Sequence, residues 1–344
     1  MSRPHLTLVS DGLPLPVAHE AEPEAPAEIA ATASPARPAP LSAWSNVHAA
    51  DAIRASSAQA QLAPPDSRRA LKAFVKNPTA MTGLVFLALV VAAALAAPIL
   101  YPDDPLAMVA RPLLWPGQDP DFPLGTDSLG RDVAAGLFHG ARVSLMVGLA
   151  ATAIGLLLGT SVGALAGYFG GRLDALLVRL IEIFQSIPSF ILLIVLVAIA
   201  QPTIATITVA IGLVTWPTIA RLARAEFRAI RAKEFVAAAK SLGYGHTRII
   251  LREILPNALP PLIVTASVMV AMAILNESAL SFMGMGDPNV VSWGSMIGAG
   301  RELLRTAWFL TALPGLVIVF TVLALNLIGD GLNDALNPRL AAER

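Results

Sequence analysis

Met81 to Leu100 is a run of twenty residues without a charge. At 1.5 Å per residue such a helix is about 30 Å long, the thickness of a bilayer's hydrocarbon. A chain crossing lipid must satisfy its own backbone polar groups, and a helix does so within one segment. Five further apolar runs follow, the first at about 144–169. A third span is led into by Arg172, Asp174, Arg179 and Glu182 and ends near 200. A fourth runs from after the Gln201-Pro202 turn to about 220, and the last two are at about 259–282 and 306–328. The expectation is an all-α integral membrane protein with six transmembrane helices. At 55% hydrophobic residues over 344, the chain has the composition for it. A net charge of zero gives no bulk electrostatic case for nucleic acid or an acidic partner. No cysteine is present, which excludes disulfides and thiol catalysis.

Basic residues orient the spans. With the N-terminus inside, Arg68, Arg69, Lys72 and Lys76 precede the first span and Arg172 and Arg179 follow the second. Eight more fall in 221–252: Arg221, Arg224, Arg228, Arg231, Lys233, Lys240, Arg248 and Arg252. Outside lie Arg111, Arg131, Arg142, Arg301 and Arg305, so the count is fourteen inside against five outside. The positive-inside rule therefore predicts both termini in the cytoplasm of a cell (inner) membrane.

The chain divides accordingly. Residues 1–65, rich in Ala and Pro without periodicity, are expected to be a disordered cytoplasmic tail. Leu6 to Val9 is too short to be a signal-peptide core. Residues 66–142 hold the first span and an extracytoplasmic loop with six Asp and no Lys between 101 and 142. Residues 143–335 hold the other spans around a cytoplasmic loop, 221–256, and 336–344 form a C-terminal tail. Gly155, Gly159, Gly163 and Gly167 recur every four residues and line one helix face. Small residues let helix backbones approach closely in lipid, so the stripe is either a packing face within the bundle or a face for a partner. Pro188 is placed to kink the third span.

The stretch Glu234 to Pro260, EFVAAAKSLGYGHTRIILREILPNALP, is the charged centre of the chain. Phe235, Ala239 and Leu242 give a first helix an apolar stripe. Ala237, Ala238 and Ala239 keep one surface free of bulk. Gly243 and Gly245 then end the helix and reverse the chain, and a second short helix is expected to stop at Pro256. A short helix with a small-residue face is suited to a partner's groove.

Glu234, Ala238, Ala239, Gly243 and, thirteen residues on, Leu255-Pro256 resemble the EAA loop of ABC-importer permeases. Ala237 stands where that motif has Glu, and Glu234 with Ile254-Leu255-Pro256 is similar to the spelling in the dipeptide, oligopeptide and nickel branch. FPLGTDSLGRDVAAGLFHGARVSLMVG, residues 122–148, resembles the segment opening the permease domain of the C-type subunit, and Asn326 to Arg339 matches the family tail. The resemblance covers about 68–340. It implies the type I importer permease fold and a heterodimer with a homologous B-type permease. It also implies two cytoplasmic ATPases seated on 234–256 and an extracytoplasmic solute-binding protein. The cargo it implies is a dipeptide or oligopeptide, with nickel or another small solute as the alternative. ATP and Mg would be bound by the partners and no cofactor by this chain.

Glu277 is an acid within an apolar run, and a charge at the centre of a span costs about 2.5 to 3.5 kcal/mol on insertion scales. It is a candidate for the pathway or its gate; near the outer end of its span, an interhelical hydrogen bond serves as well. Arg224, Arg228 and Arg231 share a helix face suited either to acidic groups of an ATPase or to anionic lipid. Met269, Met272, Met283 and Met285 do not converge, and His139 and His246 are isolated. No G-x-x-x-x-G-K-[ST] loop, H-E-x-x-H pair or nucleophile elbow occurs, so energy for active transport would come from another chain. A secondary transporter without an ATPase would commonly show broken helices with several midplane ionisable groups. It would also leave the helix–glycine–helix loop without a role.

Overall fold

The computed structural model describes residues 67–336; the expected tail 1–65, and all of the expected tail 336–344 but its first residue, lie outside them. The described residues are helical apart from their loops and one isolated bridge, Thr126 to Asp132. The elements are α1 (Ser67–Lys76), α2 (Pro78–Leu100), α3 (Val133–Phe169), α4 (Gly171–Ser186), α5 (Ser189–Ala200) and α6 (Ile204–Arg231). They continue as α7 (Glu234–Ser241), α8 (His246–Met285), α9 (Trp293–Gly300) and α10 (Phe309–Leu336). Five of these are long and apolar enough to cross a membrane, and six crossings result if α4 and α5 make one bent span.

Local chemistry sets the ends. Asn77 caps α2, its side-chain oxygen accepting from the backbone N–H groups of Thr79 (3.1 Å) and Ala80 (3.3 Å), with Pro78 at the first turn. Asp132 caps α3 by accepting from Ala134 N–H at 2.8 Å. Thr203 caps α6, and Ser292 and Ser295 form a reciprocal capping box at the start of α9.

The spans differ from the sequence expectation in four places. α3 begins at Val133, well before the expected start near Ser144, because the Asp132 cap nucleates it outside the apolar run. The third crossing is broken outright, with α4 and α5 meeting at 82° across Ile187-Pro188. Pro188 supplies no N–H to carry a helix through.

Pro256 does not stop a helix. The expected second short helix and the fifth span are one helix of 40 residues, His246–Met285. Its first turns widen to π geometry at Ile249–Ile254, and Leu255 N–H reaches back to Ile250. The wider turn moves the preceding carbonyls away from the proline ring and makes the missing N–H harmless. The polar connection after the fifth span is likewise not all loop, since it contains α9.

The glycine stripe decides the packing. It lies along α6: Gly155 faces Gly212 and Thr215, Gly159 faces Trp216 and Ile219, and Gly163 faces Ala220 and Ala223. Gly167 in turn faces Arg224 and Phe227. A Cβ on Gly159 would sit 2.6 Å from both the Trp216 carbonyl oxygen and Ile219 Cβ. α3 also crosses α8, where Gly148 meets Val270 and Ile274, and α10 lies on α2, where Gly83 meets Ala324 and Leu327. Gly159→Leu should cost about 1–3 kcal/mol or more by overpacking and lower the thermal midpoint of the purified protein in detergent. Gly315→Ala, where no atom lies within 4 Å of the added methyl and a helix interior favours Ala over Gly, should not lower that midpoint. A Gly159→Leu midpoint equal to that of the parent would contradict this packing.

Candidate functional site: the loop between α6 and α8 and the ends of the long helices

α7 is eight residues between α6 and α8, placed by two buried side chains. Val236 and Ala239 turn inward to a core with Phe227, Ile230, Ile249, Ile254 and Ala258. Glu234, Ala237, Ala238, Lys240 and Ser241 are exposed. Of the expected apolar stripe, Phe235 is half-buried, Ala239 buried and Leu242 71% exposed. The stripe is therefore Val236 and Ala239, and Leu242 stands on the outer surface. Sequence periodicity missed Val236 because in so short a helix either face gives an acceptable pattern.

The turn after α7 depends on Gly243, whose φ of +77° lies in the left-handed region. Tyr244 N–H returns to the Ala239 carbonyl and Gly243 N–H to that of Lys240. Gly245, with φ −66°, has ordinary extended geometry and stands just before α8. Leu255 is half-buried and Pro256 exposed on the first turns of α8. The exposed strip therefore comprises a short helix with two alanines, a glycine turn, Leu242 and, beyond the turn, Leu251.

Beside it is an aromatic knot. Tyr168, buried at the end of α3, shares a 2.8 Å hydrogen bond between its hydroxyl and His246 Nδ1 at the first residue of α8. Lys240 Nζ of α7 lies 5.9 Å from the Tyr168 ring centre and the Arg231 guanidinium of α6 lies 6.0 Å from it. One ring thus touches all three helices of the loop. Of the three arginines sharing a face, Arg224 is paired: its guanidinium donates to both carboxylate oxygens of Asp174, one bond at 2.7 Å, and so ties α4 to α6.

The break between α4 and α5 opens a crevice of about 320 Å³ whose lining includes Gln185, Ser189, Pro217, Thr218 and Arg221. α5 has twelve residues, about 18 Å, so by itself it stops short of a full crossing. Arg221 donates to Gln185 Oε1 at 3.1 Å across this crevice.

Glu277 is fully buried, enclosed by this chain's own helices. Three hydroxyls donate to its carboxyl group: Ser281 of α8 at 2.8 Å, Ser292 before α9 at 2.7 Å and Ser144 of α3 at 3.5 Å. Trp293 N–H donates in turn to Ser144 Oγ at 3.3 Å. Sequence pattern could not assemble this set, because Ser144 and Ser292 stand 133 and 15 residues away. Nearby, a cavity of about 230 Å³ includes Arg131, Asp132 and Asp287 in its lining. Burial pushes the Asp132 carboxyl up, against two backbone N–H groups that favour its charge. The four methionines near the fifth span share no face: Met269 is buried, while Met272 and Met283 are exposed.

The model of the family described as binding-protein-dependent transport system inner membrane component matches residues 159–342. That of the N-terminal TM domain of oligopeptide transport permease C matches 67–121. The chain is 40% identical over 275 residues to the di/tripeptide transport system permease protein DppC of Pseudomonas aeruginosa, covering 78% of this chain and 91% of that protein. It is 38% identical over 273 residues to the dipeptide transport system permease protein DppC of Haemophilus influenzae, covering 78% and 92%. Among solved structures, the MetNI methionine ABC transporter in inward facing conformations aligns at 19% identity, over 58% of this chain and 96% of that one, with a TM-score of 0.49. The chain belongs to the binding-protein-dependent transport system inner membrane components, on the permease C branch. It is accordingly a multi-pass inner-membrane subunit of an ABC importer.

The turn at position 243 is a conformational requirement and not a spatial one, since no atom lies within 4 Å of an added Cβ. Left-handed backbone costs a non-glycine residue about 1–2 kcal/mol, least for Asn. Uptake per inserted molecule should therefore fall in the order Gly243, Gly243→Asn, Gly243→Leu. Equal uptake by the Leu variant would show that the turn does not matter.

Proposed function

We propose that this chain forms, with a homologous B-type permease, the membrane pathway of an ATP-driven importer of dipeptides or oligopeptides. Two cytoplasmic ATPases bind the strip from Glu234 to Pro256, and an extracytoplasmic solute-binding protein delivers the cargo. ATP and Mg are bound and ATP is hydrolysed on the ATPases, with no catalysis and no cofactor on this chain. Both termini lie in the cytoplasm, as the distribution of Lys and Arg favours.

The observation that carries the reading is the α7 strip. A helix with Ala237 and Ala238 outward and a glycine turn is continuous with α8, which is long enough to cross the membrane. A partner that grips so small a face moves a whole span. Ala238 and Gly243 form the docking surface, while Ala239, buried behind it, and Leu255-Pro256 hold the strip to α8. Such a stroke shifts the permease only if ATP favours one arrangement of the ATPases over the other.

Peptide cargo is favoured over nickel by the relatives, which are named as di/tripeptide and dipeptide permeases. The pathway is assigned to the crevice at the α4–α5 break. There Gln185, Ser189, Thr218 and Arg221 bring hydrogen-bonding groups to membrane depth, suited to the amides and carboxylate of a peptide.

Ala238→Trp should abolish co-purification of the ATPases and lower uptake of a labelled dipeptide by about tenfold or more, a binding loss of at least about 1.4 kcal/mol. The variant should still insert in the membrane at parental levels. Parental uptake with the ATPases still bound would overturn the docking assignment.

A further inference from the structure

Two helices of this chain, each long enough to cross the membrane, pack on one another, and polar ties join them on either side of that contact. α3 carries Ser144 toward its outer end and Tyr168 at its inner end. α8 carries Glu277 and Ser281 at its outer end and His246 at its inner end. The inner tie is the hydrogen bond between Tyr168 and His246; the outer tie is the Glu277 carboxyl group held by Ser144 and Ser281. Ser144 and Tyr168 are 24 residues apart on one helix, about 36 Å. Between the ties the helices touch through Gly148 against Val270 and Ile274 and Gly155 against Met269.

Each tie also holds a further element. At the inner end the Tyr168 ring faces Lys240 of α7. At the outer end Glu277 accepts from Ser292, the cap of α9, and α9 packs on α8 with Gly294 against Ser278 and Gly298 against Ser281. The π turn of α8, Ile249–Ile254, lies next to the inner tie, and at the other end the backbone kinks at Gly284, φ +84°, three residues past Ser281. A π turn in an α-helix is a local departure often found at functional sites.

A buried carboxyl group held by hydroxyls from separate elements fixes their relative position more tightly than apolar contact does, because losing one partner leaves a desolvated polar group. We propose that Glu277 and Tyr168 are positioning residues that make α3 and α8 one lever, joining the α7 strip to the extracytoplasmic helix α9. Glu277 acts in this lever by position, as the outer pin, and not by touching cargo. The inference rests on the importer reading given above.

The test uses the complete importer, with partner permease, ATPases and binding protein, reconstituted in liposomes. The readout is ATP hydrolysis with the peptide-loaded binding protein divided by hydrolysis without it. Glu277→Leu removes the acceptor and Tyr168→Phe removes one hydroxyl while keeping the ring. Each should lower this ratio by about fivefold or more, the scale of a lost coupling between sites, with basal hydrolysis unchanged. Glu277→Gln, which still accepts from the serines, should restore most of it.

The double variant decides. Losses at independent, distant sites add, whereas two pins of one lever are broken by losing either. The ratio for Glu277→Leu with Tyr168→Phe should therefore equal that of the worse single variant. Multiplicative losses, or a parental ratio in Tyr168→Phe, would overturn the lever. Should Glu277→Leu fail to assemble, Tyr168→Phe alone decides by the same criterion. If the parental importer itself shows no stimulation by the loaded binding protein, the importer reading fails and not merely the lever.

Discussion

The contact between α3 and α6 is the constraint on which the remaining architecture rests. Lipid gives no hydrophobic drive for helices to associate, so contact at backbone distance must supply it. Four glycines at intervals of four residues let the carbonyl groups of Trp216, Ala220 and Arg224 come against α3 with no side chain between. Once those helices are in register, the ends follow. Tyr168 arrives beside Arg231 and, through the loop, beside Lys240 and His246. α4 leaves the stripe at Gly170 and is tied back by Asp174 to Arg224.

From this contact the loop acquires its character. α7 is too short to be stable alone, since an isolated helix needs about 12–15 residues. It persists because Val236 and Ala239 are buried against helices that are themselves fixed. Its outer face presents Ala237 and Ala238, and its C-terminal end runs through one left-handed glycine into the longest helix among the described residues. In the proposed coupling, a force applied at Ala238 would reach α8 through a tight turn and not be lost in a flexible linker.

Much of this was legible in the sequence, and for physical reasons. Long uncharged runs admit few solutions in lipid, so Met81–Leu100 and the runs after it read as spans. A period of four in Gly155–Gly167 is a helix face whatever lies opposite it, although the sequence did not name α6 as that partner. The apparent stop at Pro256 misled because a π turn absorbs the proline, and a change of hydrogen-bond period leaves no mark on side-chain patterning. Glu277 was conspicuous by its charge, but its serine partners were invisible: hydroxyls are common, and three of them converge here from separate elements. α9 was hidden among glycines, which lower helix propensity but allow its close packing on Ser278 and Ser281. Tyr168 and His246 stand 78 residues apart and are brought together only by the end of the glycine stripe.

The account is tested most directly by locating what touches Ala238. The chain has no cysteine of its own, so Ala238→Cys introduces a single thiol. A short thiol-reactive cross-linker applied to right-side-out and inverted membrane vesicles should join this position to an ATPase subunit, with ATP changing the yield. The adduct should form only when the reagent reaches the cytoplasmic face. An importing complex in which position 238 is labelled solely from the opposite face, or never meets the ATPase, would contradict the account.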